Sequence, residues 1–161
     1  MRWSQSDSAS ARPLSRLTPL GDAGERGVLY LGVSNRGYAM FLLSPNAKAE
    51  ASADPAGESA CADAATCRVV ALKAGATQVI IVPSSDGSKA RRYRLEAVSV
   101  RRVVTSVAAA GNMRAKVHSD GRAVLREMLS DALTAQVLDL LRYDEASGQL
   151  VLTSGAKKTT K

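Results

Sequence analysis

Residues 26–43 read RGVLYLGVSNRGYAMFLL. Two apolar runs, Val28–Val33 and Tyr38–Leu43, flank Ser34-Asn35-Arg36-Gly37. β-rich runs joined by a short connection containing Asn and Gly predict a β-hairpin. Neither run alternates between apolar and polar. In a regular strand Val28, Tyr30 and Gly32 face one side, and Leu29, Leu31 and Val33 face the other. A strand apolar on both faces needs cover on both, so the hairpin belongs at the centre of a small sheet.

The rest of the chain supplies that cover. A length of 161 residues sets one domain with tails. Residues 1–24 are rich in Ser, Ala, Arg and Pro without a period of 2 or 3.6, and are expected to be a disordered lead. Residues 25–153 are expected to form one β-rich domain, and 154–161 a basic tail. Hydrophobic residues make up 45% but aromatics only 4%, so the core must be built from Val, Leu, Ala and a few Tyr and Met.

After the hairpin, residues 45–66 form a long Ala/Ser/Asp-rich loop, a length usually functional or tethered. Cys67–Lys73 and Thr77–Val82 read as two further strands, joined as a hairpin through Ala74-Gly75-Ala76. Arg91–Val104 reads as a fifth strand. Its apolar parity changes near Ala97, which predicts a bulge or bend. Beyond Gly111 the period becomes helical. Leu125, Met128, Leu129, Ala132, Leu133, Gln136, Val137 and Leu140 make one apolar stripe of a single helix over about 119–141. Ser119 and Asp120 are candidate N-caps, and Gly121 weakens the first turn. Residues 141–153 read as a short hairpin around Glu145–Gly148. The expected fold class is α+β, mainly β: an antiparallel β-sandwich or partly open barrel of five to seven strands with one C-terminal helix.

Charge is uneven. The net charge is +7 and the pI about 9.8. Between residues 84 and 117 eight bases face two acids, whereas between 118 and 148 three bases face six acids. The basic cluster Arg91, Arg92, Tyr93, Arg94, Arg101 and Arg102 is the strongest candidate for an anionic partner. Arginines around an aromatic on a sheet face can hold single-stranded nucleic acid, and a five-stranded β-domain allows an OB-like barrel. The other stacking aromatics of such modules are missing. The competing reading is a charged strand that resists edge pairing.

Chemistry-bearing residues are few. Cys61 and Cys67 are the only cysteines. Their spacing lacks the CxxC redox pattern, and zinc needs about four ligands. A disulfide that pins the long loop, two free thiols and a metal half-site are the alternatives. The disulfide leads and implies an oxidising compartment. His118 adjoins Ser119 and Asp120, but neighbours at a helix start do not form a triad. Asp120, Glu127, Asp131 and Asp139 are scattered around the helix, and Glu127 and Asp131 are like charges on a solvated face. No phosphate-cradling Gly-rich loop is present in the sequence. The expectation is a protein that is not an enzyme, with no cofactor.

Several short motifs carry a resemblance. LGVSNRGYAMFLLS, the Cys61/Cys67 pair, LKAGAT, YRLEAVSV, GRAVLREM and LRYDEASGQL together resemble a group of envelope proteins of high-GC Gram-positive bacteria. The β part is similar in layout to the small periplasmic β-domain of PilP-like pilus-assembly proteins. The resemblance implies docking to other envelope or assembly proteins without catalysis, and transfers no catalytic or ligand residues. No run of about 20 apolar residues spans a bilayer, and the first residues lack the apolar segment of a signal peptide. The expected location is extracytoplasmic or membrane-associated if the start codon is late, and cytoplasmic otherwise. The expected function is a non-catalytic module for protein–protein interaction. The alternative is a basic OB-like nucleic-acid binder.

Overall fold

In the hairpin, β3 (Val28–Val33) and β4 (Ala39–Leu43) pair antiparallel. The connection closes through Gly37 N–H to the Ser34 carbonyl at 2.9 Å and Ser34 N–H to the Tyr38 carbonyl at 2.8 Å. Gly37 has φ +81°, the left-handed region that glycine enters without steric cost. The register runs Val28↔Leu43, Leu29↔Leu42, Tyr30↔Phe41, then skips to Gly32↔Met40 and Val33↔Ala39. Leu31 is thus the extra residue of a β-bulge, and Gly32, at φ +133°, carries the kink. The bulge reverses the side assignment expected for a regular strand. A Cβ built on Gly32 would meet Leu150, on the side of Leu29 and Leu31, while Val33 lines a cavity together with Tyr30.

The computed structural model describes residues 1–4, 11–21, 27–50, 68–84, 89–101, 119–144 and 146–152. These form a mainly antiparallel β protein with C-terminal helices. The hairpin lies at the centre of the first sheet, ordered β2-β3-β4-β6, with β2 at Thr18–Leu20 and β6 at Val69–Leu72. The second sheet is ordered β1-β8-β7-β5, with β1 at Arg2–Ser4, β5 at Lys48–Ala49, β7 at Thr77–Val82 and β8 at Arg91–Glu96. A two-stranded ribbon, β9 (Leu141–Asp144) and β10 (Gln149–Leu152), completes the strands. Seven of the ten are four to six residues long, and β1, β2 and β5 add short pieces of two or three residues.

The alternation along the hairpin builds two cores. Val28, Tyr30, Phe41 and Leu43, with Val70 and Leu72, face Ile80, Val82, Tyr93 and Leu95 of the second sheet. Tyr30 and Phe41 pack with ring centroids 5.3 Å apart. On the opposite face Leu29, Leu31, Met40 and Leu42, with Val69 and Ala71, pack under Val124, Met128 and Leu150. The first sheet is therefore the middle of three layers, between the second sheet and a layer of helices and ribbon.

Four further expectations need correction. First, the lead is not structureless throughout. Arg2–Ser4 pairs with β8 and Thr18–Leu20 with β3, and Leu17 and Leu20 are buried. Strands of three residues show no period, which is why composition hid them. Pro19 is tolerated because β2 is an edge strand. Second, β6 and β7 do not pair with each other but enter different sheets. All four residues of β6 are buried, because its sheet is covered on both faces, whereas β7 alternates and covers a single face. The turn at Gly75, φ +84°, is thus a corner between layers, tied by Gly75 N–H to the Ala97 carbonyl at 2.7 Å. Third, β8 stops at Glu96, so the parity change near Ala97 marks its end rather than a bend within a longer strand.

Fourth, the single helix is two: α1 (Ser119–Met128) and α2 (Ala132–Asp139). Asp131 breaks it. Its backbone is extended, at φ −82° and ψ 125°, and its carboxylate accepts the Thr134 N–H at 2.9 Å as an N-cap. Gly121 also has a role that propensity did not indicate. A Cβ there would lie 1.7 Å from the Leu17 carbonyl oxygen, so only glycine lets α1 approach this backbone.

Candidate functional site

The basic strand divides into two faces. Along β8 Tyr93 and Leu95 point inward, with Tyr93 only 3% exposed, while Arg92 and Arg94 are exposed. The ring of Tyr93 belongs to the core between the sheets, so it cannot serve as a stacking platform for a base. That corrects its place in the candidate patch. Arg92 stands opposite Ile81, and its guanidinium pairs with both carboxylate oxygens of Glu50. Arg94 stands opposite Val79. Arg91 is half-buried at the start of the strand. Arg101 has left the sheet and is exposed at the rim of a cavity. Among the described residues, Arg92 and Arg94 share the exposed face of β8 and Tyr93 lies on its buried face. Arg102 lies outside the described residues, as do Cys61, Cys67 and His118.

The helical layer holds a polar latch. Arg68, only 8% exposed, leads into β6, and its Nε donates to the Asp131 carboxylate at 3.4 Å. The same carboxylate oxygen accepts the Thr134 hydroxyl at 2.8 Å. These partners, the Thr134 hydroxyl first, hold the Asp131 carboxyl below its ordinary range. Asp131 is therefore a tethering group rather than one of two like charges on a solvated face. The sequence signal for it was present: an Asp followed three residues later by Thr inside a helical pattern is compatible with a cap.

The latch sets the rotation of α2. Thr134 is fully buried, and Leu133 next to it is 44% exposed. Leu133 and Leu140 are two turns apart, so they share one side of the helix with exposed Gln136 between them. Leu129, in the break between the helices, and Leu140 are exposed to a similar degree. The stripe expected to be a core face is divided. Met128 packs inward and Leu125 and Val137 are half-buried, while Leu129, Ala132, Leu133, Gln136 and Leu140 are exposed.

A cavity of about 500 Å³ opens where the residues before β2 meet those after β8. Its apolar walls include Leu14, Tyr30, Val33, Ala39, Val98 and Val100. Burial pushes the Tyr30 phenol up to about 12, and among the described residues no hydrogen bond offsets this. Arg12 and Arg101 border the cavity, and both are exposed. No sequence signal located it, because it depends on the bulge at Leu31 and on the course of two segments without regular structure.

Among the described residues no group of three or more His, Cys, Asp or Glu side chains is placed to hold a metal ion, and no helix is long and apolar enough to cross a membrane. No protein-family model, curated protein or solved structure matched the chain.

Proposed function

We propose that this protein is a non-catalytic docking module of the cell envelope that binds a partner protein through the outer side of α2. One observation carries the reading: Leu133 and Leu140 are left exposed on one side of a helix that buries Thr134, the residue after Leu133. Exposed apolar side chains grouped on one element mark a surface that another protein covers. Leu129, in the break between the two helices, is also exposed. Sites of this kind work by burying a few large side chains at the centre of a contact. An extracytoplasmic or membrane-associated location is part of the same proposal and is supported by the resemblance of the sequence motifs to envelope and pilus-assembly domains. The nucleic-acid reading has less support, since Tyr93 is in the core and Arg92 is engaged by Glu50.

The test is a double substitution, Leu133→Lys with Leu140→Lys. Both side chains are exposed, so the urea unfolding midpoint should move little, within about 0.5 kcal/mol per site. Capture of the envelope partner by the tagged protein should be lost. Retained capture by a normally folded double variant contradicts the assignment of this surface.

A further inference from the structure

The cavity at the end of the sandwich lies apart from α2 and calls for a different occupant. Its walls combine apolar side chains with two guanidiniums, and Met1, which also lines it, donates its ammonium to the Arg12 carbonyl. Buried Ala39 and Tyr30 form the floor, half-buried Leu14, Val33 and Val100 the walls, and exposed Val98 the edge. Arg12 and Arg101 stand at the rim, and among the described residues neither makes an ion pair or a side-chain hydrogen bond. No acidic side chain lines the cavity among the described residues. A volume of about 500 Å³ is in the range of sites that enclose small ligands, and too small for a folded partner.

These features select a ligand by chemistry. An apolar body removes the lining from water. A negative head answers the two guanidiniums at the mouth, and a carboxylate suits their planar fork of donors. We infer that the cavity binds a free single-chain amphiphile with a carboxylate head, its chain between Leu14, Val98 and Val100 and its head at Arg12 and Arg101. A cationic amphiphile of the same length is rejected, because the rim repels it. The site shares no residue with the outer side of α2, so it stands whether or not that docking surface does.

Calorimetric titration of the full chain with dodecanoate, below its micelle-forming concentration, tests the inference. Saturable one-to-one binding is expected, with dodecylammonium giving none. Val98 is already exposed, so Val98→Trp fills the cavity without disturbing the core. That variant should unfold at the wild-type midpoint and lose dodecanoate binding. Arg12→Glu combined with Arg101→Glu should reverse the preference between dodecanoate and dodecylammonium. Absence of saturable binding to folded wild-type protein overturns the inference. So does equal binding of the two amphiphiles, or unchanged dodecanoate binding by Val98→Trp.

Discussion

Tyr30 shows how one position reports on the whole sandwich. Its ring packs in the core beside Phe41 and also lines the cavity, and burial raises the phenol to about 12 from its ordinary 10.0. A phenol raised in the folded state keeps its proton where the unfolded chain has lost it. The stability is therefore fully present below about pH 10 and declines as pH rises toward 12. A tenfold difference in proton affinity between the folded and unfolded chain is worth about 1.4 kcal/mol, so the loss attributable to Tyr30 approaches about 2–3 kcal/mol at the upper end. Urea unfolding at pH 9 and near pH 12 should show a smaller alkaline loss in Tyr30→Phe than in wild type. At neutral pH the same variant should be about as stable as wild type, because the deleted hydroxyl makes no hydrogen bond among the described residues. Gly121 is a second informative position. In an ordinary helix Gly→Ala gains about 1 kcal/mol. Here the added carbon would meet the Leu17 carbonyl oxygen at 1.7 Å, so the approach of α1 to the sheet must open. Gly121→Ala should instead lower stability by about 1–3 kcal/mol, read as a lower urea midpoint. A rise in the midpoint would contradict the packing of α1 against Leu17.

At the scale of elements, the hairpin β3–β4 carries both cores. Phe41 is fully buried, and truncation to alanine should cost about 3–5 kcal/mol, a large part of a small domain's stability. Leu133→Ala, on the exposed side of α2, should change stability by no more than about 0.5 kcal/mol. Equal losses in chemical denaturation would contradict the three-layer arrangement. The hairpin was legible in the sequence because its apolar runs are long, two-faced and joined by recognisable turn residues. The terminal ribbon was legible from its shorter runs around a Gly-containing turn. The partners of β6 and β7 were not, since a Gly-containing turn closes a hairpin and turns a corner between sheets with the same residues. Burial distinguishes the two cases only afterwards, through an edge strand covered on both faces and a neighbour covered on one. Strands of two or three residues carry no periodicity at all, so β1, β2 and β5 could not be read. The helix break was legible in principle at Asp131 and Thr134, but the continuous apolar stripe outweighed it. That competition explains the candidate site. A stripe long enough for one core-facing helix was divided by a cap, and in its second half only Val137 still packs on the core.

For the whole molecule, the two readings of function predict different contact surfaces. A docking module uses the outer side of α2, at the far side of the helical layer, where Leu133 and Leu140 are exposed. A nucleic-acid binder uses the outer face of the second sheet, where Arg94 is exposed beside Arg92. The net charge of +7 draws anions to the molecule in either case, so binding of an oligonucleotide at low salt does not separate them. Surface position does. A photo-activated cross-linking residue placed at position 133 or at position 94 reports what touches each face in the intact cell. A docking module gives a discrete protein adduct from position 133 that is lost when Leu140 is changed to Lys, and no discrete adduct from position 94. Nucleic-acid adducts at position 94, with none of any kind at position 133, would contradict that role.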